Sequence, residues 1–323
     1  MMRAVRCVRL DGPDGLELGE APVPHDPRDV IIDVRAAGVG FPDLLMTRGG
    51  YQIHPEPPFT PGVEVAGIVR SAPPDSPFRP GDRVTASSKL GAWSEVAAAT
   101  PAMTWSIPDG MSFEQATSMV NYQTAYFAFM RRTTLRPGET VLIQGAAGGT
   151  GTAAIEVAKG LGAKVIAIAQ GEAKRTICAG LGADEVLEAD SAWLDDVKKI
   201  TDGRGVDIVY DPVGGERFLD SVRALARDGR LLVIGFAGGA IPEIKVNRLL
   251  LKNTSLVGAA WGEYVRHDPT MAQEIAVELA KLWQAGAIKP LVGSRYPLER
   301  AADALREIEG RRATGKVVLV LGA

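Results

Sequence analysis

The stretch IQGAAGGTGTAAIEVAKGLGAKVIAIA, residues 143–169, decides the fold. An apolar run, TVLIQG, leads into it and another, KVIAIA, closes it, while Ala154, Val157, Ala158 and Leu161 between them recur at helical spacing. Strand, glycine-rich turn, helix and strand in that order build a parallel sheet and receive dinucleotides at the turn. The glycines depart from the usual G-x-G-x-x-G spelling. Aligned from its end, the loop reads Ala146-x-Gly148-x-x-Gly151, with alanine in place of the first glycine and an extra Gly145 ahead of it. Gly148 and Gly149 leave the backbone bare for close approach of a pyrophosphate, and Gly151, followed by Ala153 and Ala154, lets the helix pack on the strand. A helix running on from Thr150 offers unpaired N–H groups and its dipole to an anion. Ala147, Gly148, Gly149, Thr150 and Gly151 are therefore candidate cofactor-binding residues; the plain alternative, a turn that only connects strand to helix, fits the complete strand–loop–helix–strand context less well.

Downstream, apolar strands continue to alternate with amphipathic helices: DEVLE, VDIVYD and RLLVIGF, with a last strand near Ser255–Ala260. This predicts a doubly wound parallel sheet. Upstream, residues 1 to about 118 read as short strands broken by Gly and Pro turns. DVIIDVRAAGVG places Val30, Ile32 and Val34 on one face, PGVEVAGIV and PGDRVTAS each open on a turn dipeptide, and SEVAAA follows. A largely antiparallel β domain is expected there. The texture changes at SFEQATSMVNYQTAYFAFMRR (112–132), which has helical spacing and an N-cap serine, Ser112, three residues ahead of Gln115. After residue 260, two helices (272–286 and 298–310) lead to GKVVLVL, a strand expected to rejoin the first domain.

The 323 residues exceed one comfortable hydrophobic core, in keeping with two domains. With 46% hydrophobic and 23% charged residues and a net charge of −3, nothing suggests a nucleic-acid partner or a binding tail. No apolar run approaches the roughly 20 residues of a membrane span, and the opening MMRAVRCVRLDG lacks the apolar core of a signal peptide, so a cytoplasmic protein is expected. Two cysteines, Cys7 and Cys178, exclude a disulfide framework and a multi-cysteine zinc site.

Open α/β sheets bind ligands at the carboxyl ends of their strands. Those ends here are Ala169-Gln170, Asp211-Pro212 and Gly235-Phe236-Ala237-Gly238. An NAD enzyme usually carries an acid at the end of the second strand; Gln170 and Gly171 offer none, while Lys174 and Arg175 follow, so NADPH is favoured over NADH. Glu172 tempers this preference, and the plainer alternative for Lys174 is a solvated lysine at a helix start.

Taken together, AAGVGFPDLLMTRGGY, PFTPGVEVAGIV, NYQTAY, LRPGETVLIQGAAGGTG, VDIVYDPVGG, GRLLVIGFAGG and ATGKVVLVL resemble the medium-chain dehydrogenase/reductase superfamily, and within it the zinc-free quinone oxidoreductases, the zeta-crystallin-like group. The likeness spans nearly the whole chain. It implies an α/β fold with a Rossmann doubly wound parallel sheet plus a GroES-like, mainly antiparallel β domain: a catalytic domain over 1–120, a cofactor domain over 121–260 and a return to the catalytic domain over 261–323. Where the alcohol dehydrogenase branch holds catalytic zinc with Cys, His and Cys, this chain matches with Gly40, Val63 and Val120, none of which ligates a metal.

The resemblance also implies roles. Tyr51 matches a proton-donating tyrosine of related enoyl-thioester reductases and is readable equally as a pocket wall. Asn121 and Thr124 match positions at the nicotinamide end, Ala260 and Trp261 a segment lining it, and Lys316 a lysine that reaches the cofactor from the last strand. Asp43 and Glu64 are expected to be structural carboxylates, and His25, His54 and His267 surface residues. Departures are Gly40 for asparagine, Gly171 for serine and Ala189 for tyrosine; the last two remove helpers of a 2′-phosphate, so NADH joins NADPH as a candidate cofactor. The expected function is zinc-independent hydride transfer from NADPH to quinones or related electrophilic carbonyl compounds. An enoyl-thioester or enone reductase using Tyr51, and a non-catalytic NADPH-binding structural protein, are the alternatives. Relatives dimerise through the edge of the cofactor-domain sheet, and the apolar TSLVGAA strand suits a homodimer.

Overall fold

The structure is a computed structural model and describes residues 1–190 and 192–322. Two compact units emerge, one of Met1–Val120, Pro269–Ala276 and Pro290–Ala323, the other of Asn121–Asp268 and Val277–Lys289.

In the first unit β1 (Met2–Cys7) and β2 (Leu16–Ala21) form an antiparallel hairpin. The long β3 (Val30–Val39) is followed by the short helix α1 (Phe41–Thr47), then by β4 (Glu64–Ser71), β5 (Arg83–Ser87), β6 (Val96–Ala99) and β7 (Thr104–Ser106). β3 pairs antiparallel with both β4 and β6, and β5 pairs with β4 and β7. Val30, Ile32 and Val34 do enter one core, with Trp93 and Val84. Ile31, which alternation would turn outward, is also only 5% exposed, and Ala37 and Val39 are buried too, while Asp33 is half-buried and Arg35 exposed.

The helical stretch after Ser112 is interrupted. Ser112 and Gln115 cap α2 (Phe113–Ala116) reciprocally, with N–H···O distances of 3.2 and 3.1 Å. The hydroxyl of Thr117 then donates back to the Glu114 carbonyl at 2.7 Å, a bond that bends helices, and α3 (Met119–Phe127) starts afresh before widening into a π-type turn over Ala128–Arg132.

The second unit holds β8 (Thr140–Ile143), α4 (Gly149–Gly160), β9 (Lys164–Ala169), α5 (Glu172–Gly180), β10 (Glu185–Glu188), α6 (Trp193–Ile200), β11 (Val206–Asp211), α7 (Phe218–Ala224), β12 (Leu225–Val233), α8 (Asn247–Leu250) and β13 (Ser255–Gly258). All six strands are parallel, in the order β10-β9-β8-β11-β12-β13. Strand order reverses between β8 and β11, the place where such sheets open a crevice. Its core packs Leu142, Ile166, Ile168, Val209 and Leu231 against Trp193 and Val197. A helix that periodicity did not reveal, α9 (Trp261–His267), comes next; at seven residues, with only Trp261 and Val265 buried, it is too short to show a pattern.

α10 (Thr270–Gln284) leads to β14 (Val292–Pro297), α11 (Ala301–Glu309) and β15 (Lys316–Val320). Of residues 261–323, those at 269–276 and 290–323 pack with the first unit and those at 261–268 and 277–289 with the second. The side-chain amide of Gln273 donates to the carbonyls of Ala102 and Thr104 at 2.8 and 3.0 Å. β15 pairs antiparallel with β3 and parallel with β14, so the last strand does join the sheet of the first unit.

Candidate cofactor loop and active-site residues

The turn between β8 and α4 is built around Gly145. Its φ of +59° supplies the left-handed residue, and so the task usually given to the first fingerprint glycine has moved one position upstream, leaving Ala146 in ordinary backbone and fully buried. The Ala146 N–H donates to the Ile168 carbonyl at 3.0 Å, and the Gly148 N–H to the Gly145 carbonyl at 3.1 Å, fixing the loop against the end of β9.

Two glycines of this loop differ in why they are glycine. A Cβ on Gly151 would lie 2.4 Å from the Gly145 carbonyl oxygen and 2.6 Å from the Ala146 Cα, so the fold itself demands glycine there. A Cβ on Gly148 would meet only the Gly145 oxygen at 3.6 Å, and its φ of −79° suits any residue. Nothing among the described residues requires Gly148 to be bare. Gly148 is also the N-cap of α4 and supplies no side-chain acceptor, so the first-turn amides, beginning at Gly149 and Thr150, have no acceptor within the helix and its dipole lies behind them. That is the shape and charge a pyrophosphate needs, and the residues present fit a dinucleotide. Gly235 repeats the pattern at the end of β12, where an added Cβ would find the Pro212 oxygen at 3.5 Å, and Phe236 beside it is 37% exposed.

α3 is tied to α4 twice. The Asn121 side-chain amide donates to the Thr150 hydroxyl at 3.1 Å, and nearly two turns further along α4 the Tyr122 hydroxyl donates to the Glu156 carboxylate, which also accepts the Lys289 N–H at 3.0 Å. Burial and the facing carboxylate push the Tyr122 phenol well up, and burial raises Glu156. Thr124 lies half-buried on α3; Ala260 is an exposed N-cap and Trp261 is buried in the first turn of α9.

At the tip of β9, Gln170 and Gly171 are exposed and Lys174 is half-buried on α5, its pKa lowered by desolvation. An acid missed by the sequence reading sits there: Glu188, from the neighbouring strand. Its carboxylate accepts the Gly171 N–H at 2.9 and 3.1 Å and lies 3.2 Å from Nε of Arg175. The parallel register pairing Glu188 with Ala169 was the signal that would have found it. At the end of β11, Asp211 is 2% exposed; its Oδ1 accepts the N–H groups of Val213 and Gly214 at 2.8 and 2.9 Å, holding the DPVGG turn open, and burial raises its pKa.

Tyr51 and Lys316 belong to the first unit. Tyr51 is half-buried in an irregular bend between α1 and β4. Lys316 opens β15 and is 4% exposed, ion-paired with the buried Glu64. Gly38 makes room for the pair, since a Cβ there would come within 2.2 Å of the Glu64 Oε2 and 2.7 Å of the Lys316 Cε. Next to them, Asp43 accepts the Gly40 N–H at 2.8 Å and is pushed up to about 7 by burial and the Glu64 charge, against the pull of Gly40, Lys316 and Gly62. His25, His54 and His267 are exposed.

The model described as "Zinc-binding dehydrogenase" matches residues 149–285, and that described as "Alcohol dehydrogenase GroES-like domain" matches residues 26–109. "Quinone oxidoreductase-like protein 2" of Rattus norvegicus is 40% identical over 324 residues, 99% of this chain and 92% of its own length. Among solved structures, a probable oxidoreductase from Mycobacterium abscessus is similar with a TM-score of 0.91 at 46% identity, covering 99% of both chains. The Escherichia coli quinone oxidoreductase complexed with NADPH is similar with a TM-score of 0.91 at 29% identity, over 99% of this chain and 100% of that one.

A GroES-like β unit and a doubly wound nucleotide-type unit in one chain define a medium-chain dehydrogenase/reductase. Within that superfamily the chain belongs to the zinc-free quinone oxidoreductase group.

Proposed function

We propose that the chain is an NADPH-dependent oxidoreductase that transfers hydride to quinones or related electrophilic carbonyl compounds without zinc. The observation that carries this reading is Gly148: a bare backbone position that the fold does not require, at the N-cap of α4, beside the strand-order reversal. NADPH in the solved Escherichia coli relative supports the choice of cofactor. When bound, the cofactor supplies hydride from its nicotinamide. Backbone amides of Gly149 and Thr150 hold the pyrophosphate, and Asn121, steadied by Thr150, orients the nicotinamide end. Gly40, Val63 and Val120 offer no metal-binding atom at the positions matching zinc ligands, so an alcohol would find nothing to acidify its hydroxyl. A quinone needs none: it accepts hydride and takes its proton from water.

Steady-state oxidation of NADPH by purified protein, with quinones, enones and enoyl thioesters in parallel, tests this reading. Turnover with quinones is expected, and no turnover with any quinone removes that acceptor class. Tyr51, half-buried in an irregular segment of the first unit, supports a second reading as a proton donor to an enolate. Under it Tyr51→Phe depresses enoyl reduction and leaves NADPH affinity unchanged; an unaltered enoyl rate rejects it. The protein is further proposed to work as a cytoplasmic homodimer. No helix among the described residues is long and apolar enough to cross a membrane.

A further inference from the structure

The position about 20 residues beyond the glycine loop, where a dinucleotide enzyme places an acid for the adenosine ribose diol, holds Gln170 and Gly171 in this chain. The structure fills that place from another strand. Glu188 ends β10 in register with Ala169, and its side chain folds over the tip of β9, where both carboxylate oxygens accept the Gly171 N–H at 2.9 and 3.1 Å and one also accepts the Ala189 N–H at 3.2 Å. Gly171, with φ +82°, has nothing within 4 Å of the point where a Cβ would stand, so the space before the carboxylate is open. Nearby charged groups include the Arg175 guanidinium at 3.2 Å, the half-buried Lys174, the exposed Glu172 next to Gly171, and Arg217, which donates to the Ala189 carbonyl.

We infer that Glu188 determines cofactor selectivity: its carboxylate accepts a ribose 2′-hydroxyl and opposes a 2′-phosphate, so that this chain discriminates little between NADH and NADPH. Two physical effects act together. A 2′-phosphate carries close to two negative charges at neutral pH, and a carboxylate within hydrogen-bond reach repels it in a partly desolvated site. The same carboxylate already holds the Gly171 N–H and faces Arg175, the donors a phosphate would use, so the phosphate has to compete with an internal anion for them. A 2′-hydroxyl meets the opposite situation, because it can donate to the carboxylate without displacing it. Lys174 and Arg217 add positive charge nearby, which is why NADPH is weakened and not excluded. Specificity here is a difference between two affinities, and Glu188 is the repulsive element.

This inference rests on the loop at Gly148 being a dinucleotide site, and the experiment separates the two. Calorimetric titration of the whole protein with 2′,5′-ADP and with 5′-AMP measures the 2′-phosphate contribution without turnover, and NADPH and NADH are titrated alongside. In wild type the two dinucleotides are expected to bind with affinities within about tenfold of each other. Glu188→Gln is expected to tighten 2′,5′-ADP by about tenfold or more while changing 5′-AMP little. Glu188→Asn, shorter and equally uncharged, gives the same direction, and thermal unfolding checks that both variants fold. An unchanged ratio of 2′,5′-ADP to 5′-AMP affinity in folded Glu188→Gln overturns the role of Glu188, whereas absence of NADH and NADPH binding in wild type overturns the cofactor reading beneath it.

Discussion

The side-chain amide of Asn121 donates a 3.1 Å hydrogen bond to the hydroxyl of Thr150, joining the start of α3 to the first turn of α4. A residue matched to the nicotinamide end is thereby held by a residue of the pyrophosphate loop. Asn121→Ala and Thr150→Ala should each weaken NADPH binding, by about 1 kcal/mol as expected for one neutral hydrogen bond. The double variant should lose less than the sum, because both remove the same contact. Fluorescence titration of NADPH measures all three; strict additivity would deny the coupling.

Gly148 and Gly151 should separate binding from folding. Gly148→Ala places its methyl 3.6 Å from the nearest protein atom, so stability should stay within about 0.5 kcal/mol of wild type while NADPH affinity collapses. Gly151→Ala drives its methyl onto backbone atoms at 2.4 and 2.6 Å and should cost roughly 1–3 kcal/mol of stability. Urea unfolding with parallel NADPH titration gives both readouts, and equal loss of stability in the two variants would refute the distinction.

Lys316 and Glu64 are each less than a tenth exposed, so removing the lysine takes the cation away from a buried carboxylate. Lys316→Met should destabilise by about 3–5 kcal/mol, and the double change Lys316→Met with Glu64→Leu should recover much of that. Chemical denaturation of the single and double variants provides the comparison.

Asp43 should make stability depend on pH. Its carboxyl is raised from the ordinary 3.8 to about 7, so between those values the folded protein binds a proton that the unfolded chain releases. The contribution is fully present below pH 4 and is lost as pH rises to about 7. Asp43→Asn keeps an acceptor for the Gly40 N–H and carries no charge, so its stability should be flatter across that window. Melting temperatures at half-unit pH steps decide it; parallel curves for the two proteins would exclude Asp43 as the source.

The proposed dimer has a local chemical signature. β13 is the last strand of its sheet, and Ile241, Val246, Leu250 and Leu251 are 73–82% exposed nearby in the sequence. Leu250→Asp with Leu251→Asp should yield a monomer by light scattering with the fold intact. A wild type that is already monomeric at micromolar concentration would remove the dimer.

Much of this molecule was readable from local order along the chain. The alternation after residue 139 and the loop at 143–169 specify a parallel sheet because strand and helix periods are properties of neighbouring residues, and the capping of α2 by Ser112 and Gln115 is three residues long. The expected helix over 112–132 was broken by a back-bonding threonine, and α9 was hidden by its brevity. Sequence spacing could mark the candidate glycines, yet it could not say which of them the fold itself demands, since that depends on atoms the chain brings within 4 Å.

The same limit governs charge. Near neighbours along the chain made Gln170, Gly171 and Lys174 look like the whole adenosine end of the site, with Glu172 as the acid in that loop. Strand pairing 17 residues later in the chain sets Glu188 on Gly171, and strand return across 252 residues sets Lys316 on Glu64. Composition and periodicity are short-range quantities and sufficed for the architecture, while a run of ordered motifs carried the family resemblance. Which charges meet is a long-range outcome of sheet register and burial, and it is that outcome which points to selectivity for the cofactor.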